Sequence, residues 1–171
     1  TFLGPFGSSS AANLAKEALE ESFAIRRCTK PMRAATRFAP CALADMRRCQ
    51  APCDGRTDPE RYGELIRGLV SSLSSPDGLL EALEERMSRL AASDRFEEAA
   101  LARDRLRALG DALSRARLDA WMVGSGQLVL RDASDHRLNL SGGTLLQANG
   151  PDPIPTPCPR ERADELSAVR E

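Results

Sequence analysis

Leu80, Leu83, Met87 and Leu90 recur at spacings of 3, 4 and 3 residues, with polar and charged positions between them. That is the period of a helix carrying one apolar stripe. A second stripe follows Asp94, with Phe96, Ala99, Ala100, Leu106, Leu109 and Leu113 facing inward. Glu97 lies three residues beyond Asp94, as in a capping box. The two stripes predict an antiparallel helical hairpin over residues 74–117, opened by the break Ser74-Ser75-Pro76-Asp77-Gly78. Ala99 and Ala100 let backbones approach closely but bury little area. At about 25 cal/mol per Å² of apolar surface, such a hairpin is marginal alone and gains by docking on something else.

Toward the N-terminus, the turn at Leu3-Gly4-Pro5-Phe6-Gly7 and the caps offered by Ser8, Ser9 and Ser10 predict a helix over 11–23. Leu14, Ala18, Leu19 and Phe23 share its face. A Pro-punctuated basic loop, a short helix over 43–48 and a turn at 51–55 follow. Asp58-Pro59-Glu60 starts another helix, with Pro at its first position, and Tyr62, Leu65, Ile66 and Leu69 inward until about Ser71. After Asp119 the period shortens. Residues 121–123, 127–130 and 137–140 read as three strands of an antiparallel meander, with turns at 124–126 and 132–135. Five prolines make 150–160 irregular. The fold class is therefore mainly α, with a small β meander over 118–149 and a Pro-rich tail over 150–171.

Composition adds little until it is localised. Net charge is only −1 over 171 residues, yet residues 26–48 hold seven basic side chains and one acid. The seven are Arg26, Arg27, Lys30, Arg33, Arg37, Arg47 and Arg48; the acid is Asp45. This surface suits a phosphate backbone, so DNA is the expected partner, while its aromatic neighbours Phe23 and Phe38 support base stacking only weakly. No apolar run can span a bilayer, and Thr1-Phe2-Leu3-Gly4-Pro5 is neither an initiator Met nor a signal peptide. The expectation is a cytoplasmic protein, without membrane contact, whose true start lies upstream.

Inside the basic stretch stand Cys28, Cys41, Cys49 and Cys53, with 12, 7 and 3 residues between them. Buried single thiols and disulfides both fit such clustering less well than metal ligation does in a cytosolic chain. Four thiolates suit tetrahedral zinc or an iron–sulfur cluster, and ligand type does not separate the two. The absence of paired C-x2-C knuckles leans toward a cluster. Cys158 in the tail reads as a lone thiol, and His136 as a solvated turn residue. Glu84-Glu85 and Glu97-Glu98 read as solvated helix faces. No catalytic grouping is visible in the sequence, so enzymatic activity would have to come from elsewhere in a longer polypeptide.

Particular stretches resemble a known family. Leu3-Gly4-Pro5-Phe6, Phe23-Ala24-Ile25-Arg26-Arg27-Cys28, Pro40-Cys41 and Arg48-Cys49-Gln50-Ala51-Pro52-Cys53 are similar to the excision-repair nuclease UvrC and its shorter relative Cho. The likeness is to the region after their GIY-YIG nuclease fold. Leu83-Glu84-Glu85-Arg86-Met87 through Phe96-Glu97-Glu98-Ala99-Ala100 to Arg103-Asp104 resembles their UVR motif.

The resemblance implies a [4Fe–4S] cluster on Cys28, Cys41, Cys49 and Cys53. It implies a hairpin that docks a UvrB-like UVR motif through Phe96, Ala99, Ala100 and Arg103. Residues 1–25 would be the closing helix of an upstream nuclease domain in the same polypeptide, and 26–73 the four-Cys segment with its helix. The GIY and YIG strands and an RNase H-like second nuclease are missing from these residues, and Ala102 stands where the motif usually has Leu. The Ala/Arg-rich composition also resembles actinobacterial proteins in which an exonuclease precedes a UvrC-like region. The expected function is the non-catalytic DNA- and partner-binding part of a UvrC/Cho-like nucleotide excision repair nuclease. The alternative is a structural zinc module for protein–protein contact.

Overall fold

The structure, a computed structural model, describes residues 3–29, 31–32, 37–55, 57–131 and 137–146. Lys30, Arg33, the 132–135 turn, His136, Cys158 and the tail lie outside the described residues. The elements run α1 (Ser9–Ser22), α2 (Ala42–Asp45), α3 (Pro59–Ser74), α4 (Asp77–Ala92), α5 (Phe96–Gly124), β1 (Gln127–Arg131), β2 (Arg137–Ser141) and β3 (Thr144–Leu146). The chain is thus mainly helical with a small antiparallel sheet, as its periodicities predict. It divides into two compact units, Phe6–Leu113 and a second made of Leu3–Pro5 with Ser114 onward. No helix among the described residues is long and apolar enough to cross a membrane.

In the first unit, α1 starts where Ser8 accepts a hydrogen bond from the Ala11 amide at 3.1 Å. Its buried face is narrow, because Ala15 and Ala18 carry it. Leu14, Leu19 and Phe23 are only half-buried. The same helix buries Glu20, which pairs with Arg27 at 3.4 Å and Lys16 at 3.6 Å. Glu17 and Glu21 both meet Arg105 of α5 at 2.7 Å, and Glu21 also faces Arg86 of α4 at 3.7 Å. α1 and α3 each pack on α4. α3 is capped by Asp58, which accepts from the Glu60 amide at 3.2 Å, and runs to Ser74 rather than stopping near 71. It buries no residue fully: Tyr62, Leu65 and Leu69 are half-buried, and Ile66, expected inward, is 36% exposed.

Of the two predicted stripes, Leu83 on α4 and Ala99, Leu109 and Leu113 on α5 are buried, while Leu80, Met87, Leu90, Ala100 and Leu106 are half-buried. Leu79, Ala102 and Ala112, outside the predicted stripes, are buried as well. Two further details differ. Phe96 is 64% exposed and does not face inward. Asp94 does not start α5; it finishes α4. Its φ is +58°, its amide donates to the Ala91 carbonyl at 3.1 Å, and the Arg95 amide donates to Leu90 at 3.0 Å. That pair of bonds is the Schellman arrangement, with Asp94 in the left-handed position usually held by Gly.

In the second unit, the predicted strand at 121–123 is helical instead. α5 continues to Gly124, because no Gly or Pro interrupts 114–123 and propagation adds a hydrogen bond for each residue fixed. Met122 is buried while Trp121 stays 56% exposed. The sheet has the order β1-β2-β3, both pairings antiparallel, with Arg131 opposite Arg137 and Ser141 opposite Thr144. Its third strand is β3, which the sequence pattern did not reveal. Gly142 (φ +56°) and Gly143 (φ +80°) supply the positive φ that a two-residue hairpin turn needs at both centres. Along β1 half-buried Leu128 and Leu130 alternate with exposed neighbours, and Leu140 of β2 is fully buried.

Because Asp94 sits in the left-handed region, Asp94→Ser should cost about 1 kcal/mol, whereas Asp94→Gly should cost nothing measurable. If Asp94 were an N-cap, Ser would be neutral; urea unfolding of the two variants distinguishes these roles.

Candidate functional site

The four cysteines lie on three segments that backbone hydrogen bonds tie together. Ala24, at the start of the arm leading to Cys28, accepts from the Gln50 amide at 3.0 Å. Phe38, on the arm leading to Cys41, donates to the Cys53 carbonyl at 2.8 Å. Arg26 donates its amide to the Tyr62 hydroxyl at 2.9 Å, fixing the first arm to α3. Thr57, just before α3, donates its hydroxyl to the Gln50 carbonyl. Gln50 is therefore held from both sides, through its amide and its carbonyl.

The loop around Cys49 is tightly wound. Arg47 (φ +56°) and Ala51 (φ +48°) are non-glycine residues in the left-handed region, a conformation that costs such residues on the order of 1–2 kcal/mol. Ala51 precedes Pro52, which disfavours the right-handed helical alternative for it. In this conformation the Ala51 amide points back at the Cys49 Sγ, donating at 3.3 Å. Cys49 is 8% exposed, Cys53 half-buried, and Cys28 and Cys41 exposed. The Cys28 Sγ accepts from Arg26 Nε at 3.0 Å. Cys41 takes the N-cap position of α2, without a side-chain capping bond.

In number and type, four thiols that form no disulfide fit a soft metal centre. The Ala51 N–H at Cys49 Sγ and the Arg26 guanidinium at Cys28 Sγ are hydrogen-bond donors aimed at the sulfurs. The sulfurs themselves are not drawn together: among the described residues, no three Cys, His, Asp or Glu side chains form a metal-holding group. The segments are brought together and the ligating atoms are not.

The basic residues divide by environment. Arg37, Arg47 and Arg48 are exposed, while Arg26 is half-buried. Arg27 is turned to α1, pairing with the Glu20 carboxylate and donating to the Glu20 carbonyl. Arg37 lies across Gly55, whose φ of +77° favours glycine. On the hairpin, Phe96 is exposed and Arg103 is a surface residue pairing with Asp104 at 2.8 Å. Ala99 is buried within its own unit, and Ala100 half-buried. Sequence reasoning missed Tyr62, Thr57 and Gln50 as organisers of the cysteine loops. Their hydrogen-bond partners are mostly far along the chain, and only the tertiary fold discloses them.

Two family models match this chain. The UvrC/Cho excinuclease middle domain matches residues 1–72, and the UvrB/uvrC motif matches residues 77–112. The chain belongs to the UvrC/Cho family. Among its relatives is the UvrABC system protein C of Clostridioides difficile, 31% identical over 79% of this chain and 23% of that protein. The namesake of Syntrophus aciditrophicus is 37% identical over 68% of this chain and 19% of its own length. That of Novosphingobium aromaticivorans is 36% identical over 74% and 19%. The chain thus spans about a fifth of the length of these UvrC relatives. No solved structure matches it significantly. The middle-domain match ends within α3, and the motif match begins with α4.

Proposed function

We propose that this chain is the non-catalytic, DNA- and partner-binding part of a UvrC/Cho-like nucleotide excision repair nuclease. The observation that carries this reading is Phe96. A large aromatic side chain stands 64% exposed at the start of α5, inside the segment that matches the UvrB/uvrC motif. An exposed aromatic beside a helix turn costs hydration free energy that a partner relieves by covering it. The partner in this reading is the UVR motif of a UvrB-like protein, and the nuclease chemistry belongs to an upstream domain of the same polypeptide.

Cys28, Cys41, Cys49 and Cys53 would hold a [4Fe–4S] cluster. When bound, the cluster supplies folding free energy and no reaction step, because loops with little apolar content gain their order from ligation. The chain's own part is to hold three cysteine arms side by side, and to present Arg37, Arg47 and Arg48 at the surface for the DNA backbone.

Three measurements test this. Phe96→Ala should weaken binding to a UvrB-like UVR motif by at least about tenfold while leaving the helical circular dichroism intact; a loss of helix with no loss of binding would return Phe96 to the core. Anaerobically purified protein should be brown and contain iron and sulfide, whereas stoichiometric zinc in colourless protein would establish the structural zinc module instead. Duplex binding should weaken as salt rises, with a log–log slope of about −3 or steeper from the three exposed arginines. Arg47→Ala and Arg48→Ala should each flatten that slope by about 0.9, and a flat response removes the DNA role.

A further inference from the structure

We infer that Tyr62 is the positioning residue of the four-thiol centre: its hydroxyl holds the Cys28 arm in place against the loop that carries Cys49 and Cys53. This rests on the cluster reading above and adds to it the residue that presets the ligands.

Tyr62 lies in the first turn of α3, the helix that Asp58 caps, so its position is set by a well-defined helix start. Its hydroxyl accepts the amide of Arg26, 36 residues earlier and two residues before Cys28. Two residues before Arg26, the Ala24 carbonyl accepts from Gln50, the neighbour of Cys49. The arm over 24–26 is therefore bracketed, with Gln50 at one end and Tyr62 at the other. Thr57, five residues before Tyr62, holds the Gln50 carbonyl, so the start of α3 reaches both sides of the bracket. Among the described residues, little apolar burial backs these ties beyond Ala51 and Cys49. α3 buries no residue fully, and among the four cysteines only Cys49 is buried.

Ligation needs sulfurs on separate arms to reach one centre, and an arm held in register by a hydrogen bond loses less freedom on binding. Tyr62 acts on Cys28 through the backbone of Arg26.

The test uses the full chain, reconstituted anaerobically with ferrous iron and sulfide and then challenged with EDTA. Visible absorbance reports the cluster, and far-UV circular dichroism reports the helices. Tyr62→Phe keeps the ring and removes the hydroxyl. It should release iron about fivefold faster than the unaltered chain, the effect of one lost hydrogen bond, with the helical signal unchanged. Leu69→Ala, which trims α3 without touching Arg26, should release iron at the unaltered rate. Equal rates for Tyr62→Phe and the unaltered chain overturn the inference. So does equal acceleration in both variants, or a loss of helix in Tyr62→Phe, since each makes the residue a general support of α3. If the unaltered chain takes up no iron and sulfide, the cluster reading fails and the positioning role falls with it.

Discussion

Arg105 reaches from α5 to two carboxylates of α1, tying that helix to the matched UvrB/uvrC motif beside an interior with few large side chains. The interior sets alanines, Ala15 and Ala18 on α1 with Ala99, Ala102 and Ala112 on α5, beside Leu79 and Leu83 of α4 and Leu109 and Leu113 of α5. Small side chains bring helices close but remove little apolar area from water, so they fix distance better than they fix position. Glu17 and Glu21 at 2.7 Å from Arg105, with Arg86 at 3.7 Å, supply the position. The Glu21 side chain is only 9% exposed and that of Arg105 22%, so water screens this pair less than it screens a surface ion pair. Through it, a helix of the middle-domain segment is joined to both helices of the UvrB/uvrC motif.

The cysteine region follows the same economy with different groups. Its arms are held by single hydrogen bonds at Ala24, Arg26, Phe38 and Gln50, and its tightest loop contains two residues in the left-handed region. Strain of that kind persists only where surrounding contacts over-determine the backbone, and it gathers at ligand sites. The thiols remain spread between solvent and interior, Cys28 and Cys41 outside and Cys49 inside.

The helical hairpin was legible because its stripes repeat with one period, and the cysteine segment because four thiols and seven basic residues crowd a short window. What escaped has particular causes. Trp121 and Val123 favour strands by residue type, yet the helix already running through residues 96–120, Gly110 included, carries on through them to Gly124. Asp94 matches a capping box in sequence, but the same residue fits the left-handed end of the preceding helix, and the backbone hydrogen bonds decide between them. β3 is three residues long, too short to show an alternation of its own. Phe96 reads as core by hydrophobicity alone; its exposure depends on where the turn ends. The ties made by Tyr62 and Thr57 leave no trace in periodicity, since each is a single polar contact.

The exposure of Phe96 also limits how long any complex built on it can last. Sheltering one phenylalanine ring is worth about 2 kcal/mol, which corresponds to roughly thirtyfold in equilibrium constant. A grip of that size shortens or lengthens residence without making it permanent. An assembly resting on this ring alone would form and dissolve repeatedly.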